Sequence, residues 1–181
     1  MRVPTGGLTL EPELRYGEEY DRLFQAVAPD FCAVNLCVRD AAYLRWRYLQ
    51  APRQVSGSPD AQLGFGLCRD GALVGFVACA LRQGEDPSES SDHAPTLVVV
   101  DLFCPPKERL PQIALQLLVQ HAAALVCGGL ELSGVLPRAL QHRLLRCGFL
   151  PRERASFLAA GGADAASRRG WLFTDGDQDF D

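Results

Sequence analysis

The stretch TLVVVDLFCPPKERLPQIALQLLVQHAAALV, residues 96–126, constrains the fold of this chain more than any other. Its opening run, Thr96–Phe103, is rich in β-branched residues and carries a single charge, Asp101, as expected of a strand covered on both faces. Over residues 112–126, apolar side chains recur at helical spacing and glutamines form a polar stripe on another face. The sequence therefore predicts a buried strand followed by an amphipathic helix.

Gly128 and Gly129 are expected to end this helix, and residues 130–135 are predicted to form the next strand. A strand, a helix and a second strand of this length form a parallel crossover unit. In such a unit, the loop after the first strand points backbone N–H groups outward at the start of the helix, where the helix dipole favours negative charge. An anionic ligand is therefore expected at this loop.

Length and composition favour one α/β domain over residues 1–181. With 181 residues and 48% hydrophobic content, the chain can bury one substantial core. The formal net charge of -4 argues against a nucleic-acid binder, which normally presents a basic face. No segment approaches the length of a membrane span, and the N-terminus lacks an apolar signal region. We therefore expect a cytoplasmic protein with neither a nucleic-acid nor a membrane partner.

Residue types that often bind metals are not arranged for that role. The 7 cysteines lie mostly inside apolar segments without a CxxC pair, which favours buried, reduced thiols. His93, His121 and His142 have no neighbours at metal-ligand spacing. The closing DGDQDFD alternates carboxylates as a calcium loop does, but Phe180 stands where a glycine is needed. Residues 175–181 are therefore predicted to be a solvated acidic tail, and no metal site is predicted.

Two helices are predicted in the first third of the chain. Glu18–Val27 places apolar side chains on one face, and Asp40 is a suitable N-cap for the helix DAAYLRWRYLQ. This second helix has more aromatic residues and arginines than a core helix needs. Its Tyr43 and Arg47 are candidates for substrate binding. The alternative is that its rings pack on the sheet while its arginine stems extend over it.

From residue 61 the hydrophobic period changes to two. QLGFGLC and ALVGFVACALR flank the step Asp70-Gly71, and a DG step between alternating runs predicts a β-hairpin. The acidic, serine-bearing stretch 84–95 is predicted to be a flexible loop. The remaining predicted elements are a helix over residues 137–147 and strands over residues 154–160 and 171–174.

The order of these elements, and the motifs within them, resemble the GNAT superfamily of acyl-CoA-dependent N-acetyltransferases. The motifs are the hairpin CRDGALVGFVAC, the strand VVVDLFCPP before an amphipathic helix, the short strand LELSGV and the helix ending RLLRCGFL. The resemblance covers nearly the whole chain and implies a central mixed sheet with an antiparallel N-terminal hairpin and a parallel strand–helix–strand core. More narrowly, RDAAYLRWRYLQAP and WLFTDGDQD are similar to the C-terminal GNAT-like portion of longer two-part bacterial acetyltransferases.

The resemblance implies transfer of an acetyl group from acetyl-CoA to an amine of a small molecule, such as an amino sugar. In the superfamily, the pantetheine arm lies in a gap between the central strand and its parallel neighbour, and the pyrophosphate lies on amides at the start of the next helix. A second copy of the chain or a companion GNAT lobe is a candidate partner. The residues implied to bind the cofactor are Leu102, Phe103, Lys107, Arg109, Leu110 and Gln112.

The chain departs from the superfamily pattern in the phosphate loop and near its last helix. The superfamily loop carries glycines that let the backbone approach the diphosphate, whereas here the loop is KERLPQ and Pro111 has no N–H. Leu144 stands where many members place a tyrosine as general acid, and Cys147 or His142 would have to replace it. These departures favour a second hypothesis, a GNAT-like lobe without activity that serves a catalytic partner. A third hypothesis is a small-ligand binding domain of similar structure but unrelated chemistry.

Asp101 is the candidate catalytic base. An unpaired carboxylate inside an apolar strand resists ionisation, which suits a group that must take up a proton. The alternative is a structural ion pair between Asp101 and either Arg45 or Arg47 of the second helix.

Overall fold

The computed structural model describes residues 6–12, 15–31, 34–50, 61–82, 94–106, 109–132, 134–135, 138–146, 148–150 and 170–174. The strands are β1 (Leu8–Pro12), β2 (Val34–Leu36), β3 (Ala61–Arg69), β4 (Ala72–Arg82), β5 (Thr96–Phe103), β6 (Gly129–Leu132), β7 (Gly134–Val135) and β8 (Gly170–Thr174). The helices are α1 (Glu18–Val27), α2 (Ala41–Arg45), α3 (Leu110–Ala124) and α4 (Arg138–Arg146). A 3-10 turn, Ala28–Phe31, follows α1, and a π-helical turn, Trp46–Gln50, extends α2.

The described strands form a five-stranded sheet in the order β1-β3-β4-β5-β6 and a three-stranded sheet in the order β2-β8-β7. In the larger sheet, the pairs β1–β3, β3–β4 and β4–β5 are antiparallel, and the pair β5–β6 is parallel. The α3 helix connects the two parallel strands. The predicted α/β class, with an antiparallel hairpin feeding a parallel strand–helix–strand core, is confirmed.

The hairpin between β3 and β4 turns at the predicted DG step. Asp70 and Gly71 both have left-handed backbones, with φ of 52° and 79°, and Arg69 pairs with Ala72 across the turn. Two consecutive positive φ angles are the signature of a two-residue type I′ turn, whose twist matches that of the flanking strands. The sequence therefore determined this turn locally.

Helices cover both faces of the five-stranded sheet. On one face, α3 and Leu144 of α4 pack with Leu97, Val99 and Leu102 of β5. We call this the α3 core. On the other face, α1 and α2 pack with Phe76, Ala78 and Phe103, and this cluster is called the aromatic core. Its members include Tyr16, Tyr20, Phe24, Phe31 and Tyr48.

The start of α2 is held by two carboxylates. Asp40 is the N-cap, as predicted, and its Oδ1 accepts a 2.8 Å hydrogen bond from the Tyr43 backbone N–H. Asp21 of α1 accepts a second bond, of 2.8 Å, from the Ala41 N–H. These bonds satisfy N–H groups that have no partner within the helix, and they fix α2 against α1.

Several predicted elements differ from the structure or lie outside it. The strand predicted over 130–135 is divided, since β6 ends at Leu132 and β7 pairs antiparallel with β8. The short strand β2, parallel to β8, was not predicted because residues 30–37 show no clear period. Residues 154–160, residues 84–93 of the predicted loop and the tail 175–181 lie outside the described residues.

The C-terminal end of α3 is closed by Val126 rather than by the predicted glycines. The Val126 N–H donates to the Ala123 carbonyl, and the Cys127 N–H donates to the Ala122 carbonyl, which is the Schellman pattern of helix capping. Val126 has a φ of 58°, a left-handed conformation that is unfavourable for a β-branched residue. Its side chain is 76% exposed, so little packing compensates for the strain.

Replacing Val126 by glycine is expected to raise the free energy of unfolding by about 1 kcal/mol, because glycine adopts this backbone conformation without a Cβ clash. Urea denaturation would measure the change. Val119→Gly is the matched control, since Val119 is also exposed but lies inside the helix, where glycine is unfavourable. Destabilisation by both substitutions would contradict the assigned cap.

Candidate functional site

β5 loses its parallel partner halfway along its length. Its register with β6 joins Thr96 to Gly129 and continues to Val99 and Leu132. Beyond Val99, the described strands provide a hydrogen-bonded partner on one side only, where Asp101, Leu102 and Phe103 pair with β4. The end of β5 therefore has no described hydrogen-bonded strand on the side that β6 occupies earlier in the strand. The resemblance implies a pantetheine arm on this side of β5, and that stays a prediction.

A β-bulge lies on β5 directly after Val99, the last residue that pairs with β6. Val99 pairs with Cys79 and Asp101 pairs with the adjacent Ala78, so Val100 has no counterpart on β4. One extra residue reverses which face of the sheet the following side chains occupy. Leu97, Val99 and Leu102 accordingly lie in the α3 core, whereas Asp101 shares the opposite face with Ala78.

Asp101 lies in an ion pair with Arg39, and both side chains are 0% exposed. The Arg39 Nε lies 3.0 Å from Oδ1 and 3.2 Å from Oδ2 of the carboxylate. An Arg39 terminal nitrogen also donates to the Cys37 carbonyl at 3.0 Å, and the guanidinium carbon lies 6.0 Å from the centre of the Phe103 ring. Two buried charges are stabilised only when they are paired and hydrogen-bonded, as they are here.

Tyr48, in the π-helical turn after α2, binds the same carboxylate. Its hydroxyl donates a 3.1 Å hydrogen bond to Asp101 Oδ2. Burial and the adjacent Asp101 charge raise the pKa of Tyr48 well above its usual value, so the phenol stays protonated and remains a donor. Asp101 is thus held by one residue before α2 and one residue after it.

This arrangement differs from the predicted ion-pair alternative. The arginine beside Asp101 is Arg39, which precedes α2, while Arg45 donates to the Tyr16 carbonyl at 2.8 Å. Neither Arg39 nor Tyr48 was predicted from the sequence as a partner of Asp101. An available signal was the arginine at the end of the apolar segment FCAVNLCVRD, since a cation there must find an anion once the segment is buried.

The start of α3 follows the end of β5 closely in the sequence, and its N-cap residue has a left-handed backbone. Arg109, exposed and at the N-cap, has a φ of 58°, a conformation that glycine adopts more readily. Arg109 thus has a glycine-like backbone, although the segment KERLPQ contains no glycine. Pro111 has no N–H and the Ile113 N–H donates to the Arg109 carbonyl, so Leu110 and Gln112 supply the amides of the first turn.

Gln112 contains a buried acceptor without a partner. Its Oε1 is shielded from solvent and accepts no hydrogen bond within the described part of the chain. An unsatisfied buried amide oxygen costs about 1–3 kcal/mol.

The other predicted site residues, apart from Asp101, Arg109 and Gln112, fall into three groups. Leu102, Phe103 and Leu110 are buried with their side chains in the two cores, so only their backbone could bind a ligand. Tyr43 and Arg47 are half-buried on α2 and its π-helical extension, the same element that holds Asp101. Lys107 lies outside the described residues.

The buried thiols beside this region are not nucleophiles. Burial raises the pKa of Cys79 and of Cys104 to about 12 each, so both are protonated at neutral pH. The described residues contain no group of three or more histidines, cysteines, aspartates or glutamates that could hold a metal ion. They also include no helix with the length and apolar character of a membrane span.

The architecture is that of solved acetyltransferase structures. A ribosomal-protein-alanine N-acetyltransferase from Brucella melitensis biovar Abortus 2308 matches with a TM-score of 0.54 at 14% identity, over 86% of this chain and 99% of that chain. A provisionally named acetyl transferase from Pyrococcus furiosus matches with a TM-score of 0.53 at 12% identity, over 84% and 99%. No protein-family model and no curated protein matches the sequence. At these identities the likeness shows a GNAT fold and leaves the reaction to be argued from the site.

Proposed function

We propose that this protein is a GNAT-type N-acetyltransferase that transfers an acetyl group from acetyl-CoA to the amine of a small molecule, such as an amino sugar. The observation that carries the proposal is the end of β5, where the described strands supply a hydrogen-bonded partner on the β4 side only. A strand that keeps one neighbour and loses the other after Val99 offers backbone N–H and C=O groups along its end. The amides of a pantetheine arm have complementary donors and acceptors.

The reaction requires few chemical groups from the protein. The amine nitrogen attacks the thioester carbonyl carbon, the C–N bond forms and the C–S bond breaks. A base removes one proton from the amine, and the departing CoA thiolate takes up one proton, so that the products are the amide and free CoA thiol. Holding the two reactants in line supplies much of the rate, and a backbone amide near the carbonyl oxygen stabilises the developing negative charge. In this proposal the end of β5, Val100 to Phe103, provides the backbone against which the thioester is oriented.

We assign Asp101 as the candidate base that removes the proton from the amine. Its carboxylate accepts hydrogen bonds from Arg39 and Tyr48 and is shielded from solvent. To accept a proton from an amine it would need contact with the acceptor or with a water molecule. Asp101→Asn preserves the shape of the side chain, and loss of the acidic limb of the pH–rate profile in this variant would support the base assignment.

The start of α3 is proposed to hold the remainder of the cofactor. Its dipole and the Leu110 and Gln112 amides favour an anion, and Arg109 adds a positive charge at the same end. With Pro111 in the first turn, fewer backbone donors are available than in a glycine-rich loop. The buried Gln112 Oε1 is proposed to accept from an N–H of the cofactor.

Calorimetric titration with acetyl-CoA tests the proposal, with micromolar affinity as the expected result. Replacing Gln112 by leucine is expected to weaken this affinity about tenfold, or about 1.4 kcal/mol, because the cofactor N–H loses its acceptor. The same variant without ligand is expected to melt at a higher temperature, because the unsatisfied oxygen is removed. Gln116→Leu, one turn further along α3, is the control and should leave the affinity unchanged. Unchanged affinity in Gln112→Leu would contradict the assigned contact.

A second candidate function is a GNAT-like lobe without activity that serves a catalytic partner. The observation that favours it is the α3 start, where Pro111 removes a donor, together with the buried Leu144 at the position of the expected tyrosine. This candidate predicts no heat on titration with millimolar acetyl-CoA. Under either proposal the protein acts in the cytoplasm, with a second copy or a companion lobe as its partner.

A further inference from the structure

We propose that Arg39 and Tyr48 are positioning residues that hold the end of β5 in place through Asp101. We call the three side chains the β5 clamp. The inference deepens the proposed function, because the strand end that the clamp holds is the one against which the thioester is proposed to lie. The geometry of the clamp itself does not depend on that function.

The clamp joins both ends of α2 to β5 at a single carboxylate, that of Asp101. Arg39 comes from the segment before α2, and Tyr48 comes from the π-helical turn after it. They reach the Asp101 oxygens at 3.0 to 3.2 Å. Because α2 is itself bound to α1 through Asp21, the carboxylate is anchored to a braced part of the fold.

The part of β5 that the clamp holds, residues 101–103, has fewer strand partners than the rest of β5. From Thr96 to Val99 the strand has hydrogen-bonded neighbours on both sides, whereas from Asp101 to Phe103 the only partner among the described strands is β4. A strand paired on one side exposes its other edge and opens more easily. The bulge at Val100 adds a local disruption of the ladder at the same place. Asp101 is the first paired residue after the bulge, so a fixed carboxylate there limits the movement of the strand end.

The contribution of the Arg39–Asp101 ion pair to stability does not explain why both charges are buried. A buried ion pair is often no more stabilising than apolar side chains of the same volume, since desolvation of the two charges offsets their attraction. Both side chains of this pair are fully buried. Stability alone therefore does not account for an arginine and an aspartate here, whereas fixed hydrogen-bond directions between α2 and β5 do.

The test uses two variants that keep the core filled. Tyr48→Phe removes one hydrogen bond, and the double variant Arg39→Met/Asp101→Leu removes both charges together. Amide hydrogen exchange is measured on the whole protein for residues 96–99 and 100–103. We expect exchange over 100–103 to become at least about tenfold faster, which corresponds to about 1.4 kcal/mol of lost local stability, while 96–99 stays as in the wild type. Tyr20→Phe, at another buried tyrosine of the aromatic core, is the control and should change neither segment.

Kinetics provide the second measurement. The clamp predicts that KM for acetyl-CoA rises about tenfold in Tyr48→Phe while the shape of the pH–rate profile is kept, because the strand end is displaced and no proton-transfer group is lost. Unchanged exchange over 100–103 in both variants would overturn the clamp, as would a uniform increase over 96–103, which indicates general destabilisation. If the wild-type protein does not bind acetyl-CoA, the proposed function fails, and the exchange comparison still decides the clamp.

Discussion

Replacing Arg39 alone by methionine is expected to lower the free energy of unfolding by about 3–5 kcal/mol, because it leaves the Asp101 charge buried without its cation. The Asp101 carboxylate is fully shielded and cannot turn to solvent without moving β5. Equilibrium denaturation in urea, followed by far-UV circular dichroism, would measure the loss. This is among the largest single-residue effects that the structure predicts.

The double variant Arg39→Met/Asp101→Leu is the control for this prediction. It removes both charges and is expected to recover most of the lost stability, since an apolar pair of similar volume costs no desolvation. The difference between the single and double variants measures the coupling of the two side chains. If the double variant were as unstable as Arg39→Met, the loss would come from packing rather than from the unpaired carboxylate.

Substitution of Gly75 by alanine is expected to destabilise the protein by about 3 kcal/mol, because the added methyl group has no room in a packed strand pair. A Cβ at Gly75 would lie 2.6 Å from the Cβ of Cys104 and 2.9 Å from the Phe103 carbonyl oxygen. These atoms belong to the end of β5 and the residue after it, and neither is the flexible tip of a side chain. The strand end must therefore move away from β4, and thermal denaturation would measure the cost.

Gly129→Ala is the matched control, because Gly129 is also in the sheet but a Cβ there has no atom within 4 Å. Its stability is expected to change by less than about 0.5 kcal/mol. The double variant Gly75→Ala/Cys104→Gly removes the closest clashing atom and is expected to recover part of the loss. Equal destabilisation by Gly75→Ala and Gly129→Ala would show that the close approach of β4 and β5 is not the cause.

The Arg39→Met and Gly75→Ala substitutions both act on the end of β5, and they do so through different neighbours. Gly75 lets β4 approach the end of β5 closely, and Arg39 holds Asp101 from the face covered by α1 and α2. Asp101→Asn separates the two roles considered for this carboxylate. Loss of turnover with unchanged exchange over 100–103 would indicate a base, whereas faster exchange there with a raised KM would indicate the clamp.

Much of the fold was accessible from local sequence patterns. The DG turn, the Asp40 cap and the amphipathic helix α3 each depend on residues close together in the chain, and each was predicted from them. The cap at Val126 was missed because two glycines follow it and valine is an unfavourable residue for that conformation. The division of residues 130–135 was also missed, because β6 and β7 belong to different sheets and nothing in the sequence marks the change.

The site was predictable only in part. The sequence identified Asp101 as an unusual charge in an apolar strand, and it predicted an anion at the start of α3, which stays a prediction. It did not identify Arg39 or Tyr48 as partners of Asp101, which lie 62 and 53 residues away along the chain. It also could not show that Arg109 takes a glycine-like backbone conformation, which depends on how the loop must close onto α3.

The sequence by itself determined the order of helices and strands, the turn of the hairpin and the presence of a buried charge on the central strand, because these follow from residue spacing and local backbone preference. Only the tertiary structure decided which way that charge points. The bulge at Val100 turns Asp101 from the face of Leu97 and Val99 to the face of α2, and such a bulge arises from the pairing of two strands rather than from either strand alone.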